Sequence, residues 1–134
     1  MRRFSPFLLF TGEQHRKAAE AVHHYVSLFE DSEILGIDRY GPGETGPEWT
    51  VRMARFLLNG CEVRAMDSVY PRKFTFTPAI SLYVECESED EPDSAFNSLV
   101  DAGMALMPLD NYGFSKRLGW VQDKFGVSWQ LNLP

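Results

Sequence analysis

Cysteine is almost missing from this chain. Cys61 and Cys86 are the only two in 134 residues, and neither has a partner at C-x-x-C spacing. That excludes a disulfide framework and a zinc ribbon. Both thiols fall in apolar, strand-like runs, so they are expected to be buried and reduced, as in a cytoplasmic protein. Histidine is as scarce. His15, His23 and His24 are the full set, all in one helical stretch. Their spacing puts no two of them on neighbouring turns of one face, so they are read as surface residues and not as metal ligands. Basic runs are also lacking. Lys and Arg gather only as the pairs Arg2–Arg3, Arg16–Lys17, Arg72–Lys73 and Lys116–Arg117, and the net charge is −6. A phosphate backbone would be repelled on average, which removes nucleic acid as a partner. No apolar run is long enough to span a bilayer, and the one from Phe4 to Phe10 is too short for a signal-peptide core. No membrane partner is expected.

What remains is an ordinary globular mixture, 44% apolar and 24% charged, at a length suited to a single domain over 1–134. Eighteen aromatic residues are generous for that length and supply a core, a pocket lining or a subunit interface. The densest acidic stretch runs from Glu85 to Asp93. Its spacing fits no calcium loop, and it reads as a solvated turn feeding a helix N-terminus, where carboxylates favour the positive dipole end.

Periodicity divides the chain into elements. Phe4 to Phe10 reads as a buried strand, followed by a capping-box pattern at Thr11-Gly12-Glu13-Gln14. Ala18, Ala21, Val22, Tyr25, Leu28 and Phe29 then recur at helical spacing over about four turns. Ile34 to Tyr40 is a strand, and the stretch from Gly41 to Pro47 a loop. Asn59-Gly60 joins strands Trp49–Leu58 and Cys61–Met66 as a tight hairpin. The order then repeats. Pro78–Cys86 is a strand, and Ser88 to Glu91 a second capping box. A helix carries Ala95, Phe96, Leu99 and Val100, and Gly103 is its left-handed C-cap. Met104 to Met107 follows, then a loop from Pro108 to Ser115. Strands Leu118–Gln122 and Val127–Leu133 flank the turn Asp123 to Gly126, and Gly126 stands where Gly60 stands in the first half. This is strand-helix-strand-strand-strand written twice, about 4–67 and about 76–134, an α+β chain.

The segments Phe7 to Gly12, Ala21 to Phe29 with Asp31-Ser32, Phe76 to Ser81, and above all Gly119-Trp120-Val121-Gln122-Asp123-Lys124-Phe125-Gly126-Val127-Ser128-Trp129-Gln130 resemble the PhnB-like family. That family is a branch of the vicinal oxygen chelate superfamily, with glyoxalase I, extradiol dioxygenases and the bleomycin- and fosfomycin-resistance proteins. The resemblance covers Phe7 to Leu131. It implies two βαβββ modules forming a curved mixed sheet with helices outside, a cavity inside and a homodimer. In metal-dependent members four side chains of the sheet hold a divalent ion. The resemblance puts Ser5, Arg64, Ala79 and Gln130 at those four places. Such a set lacks imidazole, carboxylate and thiolate, so no metal cofactor is expected.

Strand alternation gives a separate view of the cavity face. In the last strand Ser128, Gln130 and Asn132 oppose Val127, Trp129, Leu131 and Leu133. Ser81 and Tyr83 oppose Leu82 and Val84, and Glu62, Arg64 and Met66 oppose Cys61, Val63 and Ala65. The candidate ligand-binding residues are therefore Arg64, Ser81, Trp120, Gln130, Ser128 and Phe7, with Arg64 the main cation. Pairing of Arg64 with Glu62 or Asp67 is the competing use. The label 3-demethylubiquinone-9 methyltransferase is sometimes attached to PhnB-like proteins. No glycine-rich turn between a strand and a helix supports it here. Two functions stay in view: a dimer that binds an unidentified small molecule without metal or other cofactor, and an enzyme of lyase, isomerase or dioxygenase type with a non-standard site. The bare ligand positions favour binding, and no catalytic residue is assigned.

Overall fold

The computed structural model describes residues 2–134. The chain divides into two compact units, Met1–Thr75 and Phe76–Pro134, each built in the same order. The first unit contains strand β1 (Phe7–Phe10), helix α1 (Ala18–Leu28) and strands β2 (Glu33–Arg39), β3 (Val51–Leu58) and β4 (Cys61–Asp67). Its four strands form one mixed sheet in the order β1-β4-β3-β2, with β1 parallel to β4 and the other pairs antiparallel. The second unit repeats this with β5 (Leu82–Glu85), α2 (Asp90–Val100), β6 (Met104–Asp110), β7 (Arg117–Gln122) and β8 (Ser128–Leu133), ordered β5-β8-β7-β6. The twofold strand-helix-strand-strand-strand order read from the sequence is thus the order of the fold.

In the first unit α1 lies across β3, β2 and β4. Ala18, Ala21, Val22 and Tyr25 recur at helical spacing and are fully buried, as are Phe10, Ala54, Phe56 and Ala65 on the strands. Burying each of the larger of these side chains contributes about 1.5–3 kcal/mol. Asp67 (1% exposed) ends β4 beneath them. Its Oδ1 accepts from the Ala18 amide at 3.2 Å and its Oδ2 from the Val51 amide at 2.9 Å, which fixes the helix entry to the sheet. The β3–β4 hairpin turns on Asn59 (φ 47°) and Gly60 (φ 81°), the two positive values that a two-residue turn of this twist requires. In the second unit α2 packs mainly on β7. Trp129, Phe125, Leu131, Val121 and Leu99 make its core. Asp123 accepts from the Phe125 and Val127 amides through Oδ1 and from the Trp129 indole through Oδ2, all within 3.0 Å.

Several local expectations change. Phe4 is 94% and Phe7 48% exposed, so the first strand is shorter than its apolar run, and Leu8 and Phe10 are its buried residues. The first helix loses its opening turn. Gly12–Gln14 is a separate 3-10 turn, and Arg16 (φ 76°) breaks the path before α1. Neither capping box forms a side-chain cap. The Thr11 hydroxyl instead donates to the Phe74 carbonyl at 3.2 Å. Pro78 to Ser81 and Cys86 stay outside β5, while β6 runs on to Asp110. The left-handed residue after α2 is Ala102 (φ 58°), not Gly103. Gly103 answers a different need, since a Cβ there would lie 2.3 Å from the Gln122 carbonyl oxygen. Gly126 sits in a longer connection than Gly60, because β7 and β8 pair last at Gln122 and Ser128. Cys61 is exposed and only Cys86 is buried. The His15 Nε2 atom is buried rather than at the surface.

Candidate functional site

Each sheet has one face under its helix and one face without a helix, and alternation decides which side chains lie on each. In β4 Val63 and Ala65 are buried against α1, so Glu62, Arg64 and Met66 take the helix-free face. Register then assembles a row across all four strands: Phe7 pairs with Arg64, Arg64 with Arg55, and Arg55 with Gly36. The second sheet has the matching row Tyr83, Gln130, Trp120 and Met107. Arg64 and Gln130 are therefore equivalent positions, as the pseudo-symmetry of the sequence requires. Ser5 precedes Phe7 as Ser81 precedes Tyr83, so Ser81 rather than Ala79 is the counterpart of Ser5. Ala79 lies in the turn ahead of β5.

The first row is organised by an ion-pair cluster. Glu62 (11% exposed side chain) receives Arg55 Nη2 at 2.8 Å and Arg64 Nε at 2.9 Å, one on each carboxylate oxygen. Hydrogen bonds from Arg55, then from Arg64, hold the Glu62 carboxyl down from 4.5 to about 2. The competing use of Arg64 is thus realised with Glu62 and not with Asp67, whose oxygens serve backbone amides. Two guanidinium groups on one carboxylate leave one positive charge in excess. Around it lie Phe7 and the partly buried Leu9, Met53 and Met66. Arg55 escaped the sequence reading, because nothing before the β3–β4 register shows that it stands beside Arg64.

The second face is uncharged at its centre. The Trp120 indole N–H donates to Ser128 Oγ at 2.8 Å, and Ser128 Oγ lies 2.6 Å from Ser81 Oγ. Ser128 is 2% exposed. Gln130 is the cross-strand neighbour of both Trp120 and Tyr83. Four of the candidate residues, Ser81, Trp120, Ser128 and Gln130, therefore share this face, and Phe7 and Arg64 share the face of the first sheet. Ser128 has no basic partner in these bonds that takes a proton, so the hydroxyl pair is a hydrogen-bonding surface and not an activated nucleophile.

At the places that the resemblance assigned to metal ligands, with Ser81 in place of Ala79, stand Ser5, Arg64, Ser81 and Gln130. Arg64 brings a fixed positive charge held by Glu62, Ser81 is bonded to Ser128, and Gln130 offers an amide. These donors do not fit a divalent transition metal. Among the described residues no group of three or more His, Cys, Asp and Glu gathers closely enough to hold one. The glycines Gly41, Gly43 and Gly46 join two strands, β2 and β3, and among the described residues Gly12 is the one glycine where a strand leads into a helix.

Two four-stranded mixed sheets, each with its helix, make this an α+β fold of the glyoxalase and bleomycin-resistance kind. A glyoxalase/bleomycin-resistance/dioxygenase domain from Frankia sp. shares that fold, with a TM-score of 0.66 at 15% identity over 99% of this chain and 97% of its own. The chain belongs to the PhnB-like family whose model is described as 3-demethylubiquinone-9 3-methyltransferase, matching residues 2–132. It is 50% identical to a putative 3-demethylubiquinone-9 3-methyltransferase, PhnB protein, from Bacillus cereus. That structure covers 99% of this chain and 100% of its own, with a TM-score of 0.93. A protein from Pseudomonas aeruginosa is similar at 22% identity, a TM-score of 0.78, and coverage of 99% and 98%. No curated protein matches the chain. Among the described residues no helix is long and apolar enough to cross a membrane.

Proposed function

We propose that this protein binds a small organic anion with an apolar body on the helix-free face of its first sheet, as a cytoplasmic homodimer and without a metal. One observation carries the reading: Arg55 and Arg64 share the single carboxylate of Glu62, which leaves a net positive charge ringed by Phe7, Leu9, Met53 and Met66. A carboxylate placed there meets guanidinium donors already oriented by Glu62, and its apolar part covers the adjoining side chains. Ser81, Ser128, Trp120 and Gln130 supply a hydrogen-bonding face of their own on the second sheet. Methyl transfer, the activity in the family's description, draws no support from the residues. The glycine cluster that would receive an adenosyl cofactor joins two strands. An enzyme of lyase, isomerase or dioxygenase type is the alternative, and it lacks an assigned acid or base.

The test is an NMR titration with benzoate against its neutral counterpart benzamide. Benzoate is expected to shift the Arg64 and Arg55 side-chain signals saturably, and Arg64→Ala to weaken it by about tenfold, the equivalent of one charge-assisted hydrogen bond. Equal affinity for benzamide, or no effect of Arg64→Ala, would overturn the anion reading. Light scattering at micromolar concentration checks the dimer separately, a 15 kDa particle counting against it.

A further inference from the structure

In the second unit the connection from β6 to β7 and the opening turn of α2 line one cavity of about 340 Å³. Hydrogen bonds fold the connection onto itself. Asp110 Oδ1 accepts from the Asn111 amide and Asn111 Oδ1 from the Gly113 amide, both at 2.7 Å, and the Tyr112 hydroxyl donates to the Pro108 carbonyl at 2.5 Å. Where β7 begins, Arg117 reaches over to α2 and pairs through Nη2 with Asp93. Both members of that pair line the cavity, and Leu133 of β8 is its one apolar lining residue.

The two contributing segments differ in charge. From α2 come Glu89 and Asp90, exposed carboxylates that have no ion pair or side-chain hydrogen bond among the described residues. From the connection come Lys116, whose ammonium is likewise without a partner among the described residues, and Asn111. The Asn111 oxygen is taken by the Gly113 amide, so its Nδ2 is left to donate. Asp93 and Arg117 neutralise each other. The positive end of α2 explains why acids gather there. It does not explain an ammonium and an amide donor left unpaired in the same cavity. A simple anion would be opposed by Glu89 and Asp90, and a simple cation by Lys116 and Arg117. Among the described residues no group of three or more His, Cys, Asp and Glu gathers closely enough to hold a metal ion. A molecule that carries both charges satisfies both segments at once. The volume lies at the lower end of the range for small-molecule sites, which suits a small one.

We infer that this cavity is a second binding site, for a small zwitterion of the amino-acid class. Its ammonium group meets Glu89 and Asp90, and its carboxylate meets Lys116 and the Asn111 Nδ2. The ligand thereby joins the same two segments that the Asp93–Arg117 pair joins, and a short aliphatic body lies toward Leu133. This site is independent of the anion reading, because it belongs wholly to the second unit and shares no residue with the Arg55–Glu62–Arg64 row.

L-Alanine, propionate and ethylammonium are titrated separately into the whole protein at neutral pH and constant ionic strength. NMR follows the Lys116 side chain and the backbone amides of Glu89, Asp90 and Asn111. Propionate is alanine without its ammonium group, and ethylammonium is alanine without its carboxylate. Alanine is expected to move these signals saturably with a midpoint below about 10 mM, and each single-charge compound to bind about tenfold more weakly, as the loss of one charge-assisted hydrogen bond requires. Lys116→Met keeps the aliphatic stem and removes the charge. It is expected to weaken alanine about tenfold while leaving ethylammonium no weaker. The double variant Glu89→Gln, Asp90→Asn is expected to weaken alanine to the same degree while leaving propionate no weaker. The wild-type titrations decide the matter if a variant fails to fold. Propionate or ethylammonium binding here as tightly as alanine, alanine shifts confined to other residues, or no saturable shift would each overturn the assignment. So would a folded Lys116→Met protein that binds alanine as the wild type does.

Discussion

Arg55 and Arg64 stand directly opposite one another on antiparallel strands, and the carboxylate of Glu62 binds both. Like charges paired across a sheet are destabilising, so the bridge makes the placement tolerable. It also ties stability to pH. The Glu62 carboxyl is held at about 2, below its ordinary 4.5, chiefly by the hydrogen bond from Arg55. A depressed carboxyl contributes stability that is fully present above the unfolded value and is lost as pH falls from there through the folded one. The urea midpoint of the protein is therefore expected to drop between pH 4.5 and about 2. Glu62→Gln should flatten that part of the profile and lower the midpoint above it. Parallel profiles for the two proteins would show that the bridge does not hold in solution.

The two thiols differ in a way that chemical labelling reads directly. Burial, and then the charge of Glu91, push the Cys86 thiol up to about 12, whereas Cys61 is exposed at the start of β4. The thiolate is the reactive form. One equivalent of a thiol reagent is expected to react quickly with the folded protein at neutral pH, and mass spectrometry should place it on Cys61. The second equivalent should enter only on denaturation. Rapid labelling of Cys86 in the folded protein would contradict the buried environment.

Element order was legible because it is written in local chemistry. Asn59-Gly60 admits one kind of turn, and the alternation Glu62, Val63, Arg64, Ala65 admits one assignment of faces, which the burial of Val63 and Ala65 bears out. Element ends were less legible, because they depend on partners far away in sequence. The Thr11 hydroxyl left its expected cap for the Phe74 carbonyl, and the Ala18 amide took the Asp67 carboxylate as its acceptor. On the candidate site, the faces that carry Arg64 and Gln130 followed from alternation alone. Arg55 did not, since it joins Arg64 only through pairing register. The burial of the His15 Nε2 atom was out of reach for a similar reason. His15 lines one hollow with Gly12 and residues 68–71, a segment which no periodicity announces.

Ala102 and Gly103 are expected to respond in opposite senses to substitution. Ala102 adopts φ 58°, a conformation that costs a residue with a Cβ about 1–2 kcal/mol, so Ala102→Gly should raise stability by up to about 1 kcal/mol after the entropy of glycine is counted. Gly103 does not need conformational freedom; it needs space. Its added Cβ would meet the Gln122 carbonyl oxygen at 2.3 Å and the Asp123 Cα at 3.0 Å, both backbone atoms that cannot rotate away. Gly103→Ala should cost roughly 1–3 kcal/mol, toward the upper end because β7 itself would have to shift. Chemical denaturation of the two variants checks both signs. A neutral Gly103→Ala would mean that the approach of the two segments is looser than the structure describes.

Trp120 and Ser128 test the second face. The indole N–H donates to a hydroxyl that is 2% exposed, and that hydroxyl also meets Ser81 Oγ at 2.6 Å. Trp120→Phe retains an aromatic ring and removes the donor, while Ser128 keeps Ser81 as a partner. The expected loss is about 0.5–1.5 kcal/mol beyond the change in ring size. Ser128→Ala removes the shared oxygen and leaves both the indole N–H and the Ser81 hydroxyl without it, so about 1–3 kcal/mol is expected. If the bond is present in solution, the two losses do not add. The double variant should be less destabilised than their sum by about 0.5–1.5 kcal/mol, the coupling that a double-mutant cycle isolates. Urea denaturation followed by far-ultraviolet circular dichroism serves all four proteins, since the fluorescence of Trp120 is itself altered by the substitution. Strict additivity would place the indole away from Ser128 in solution and remove the hydrogen-bonded pair from this face.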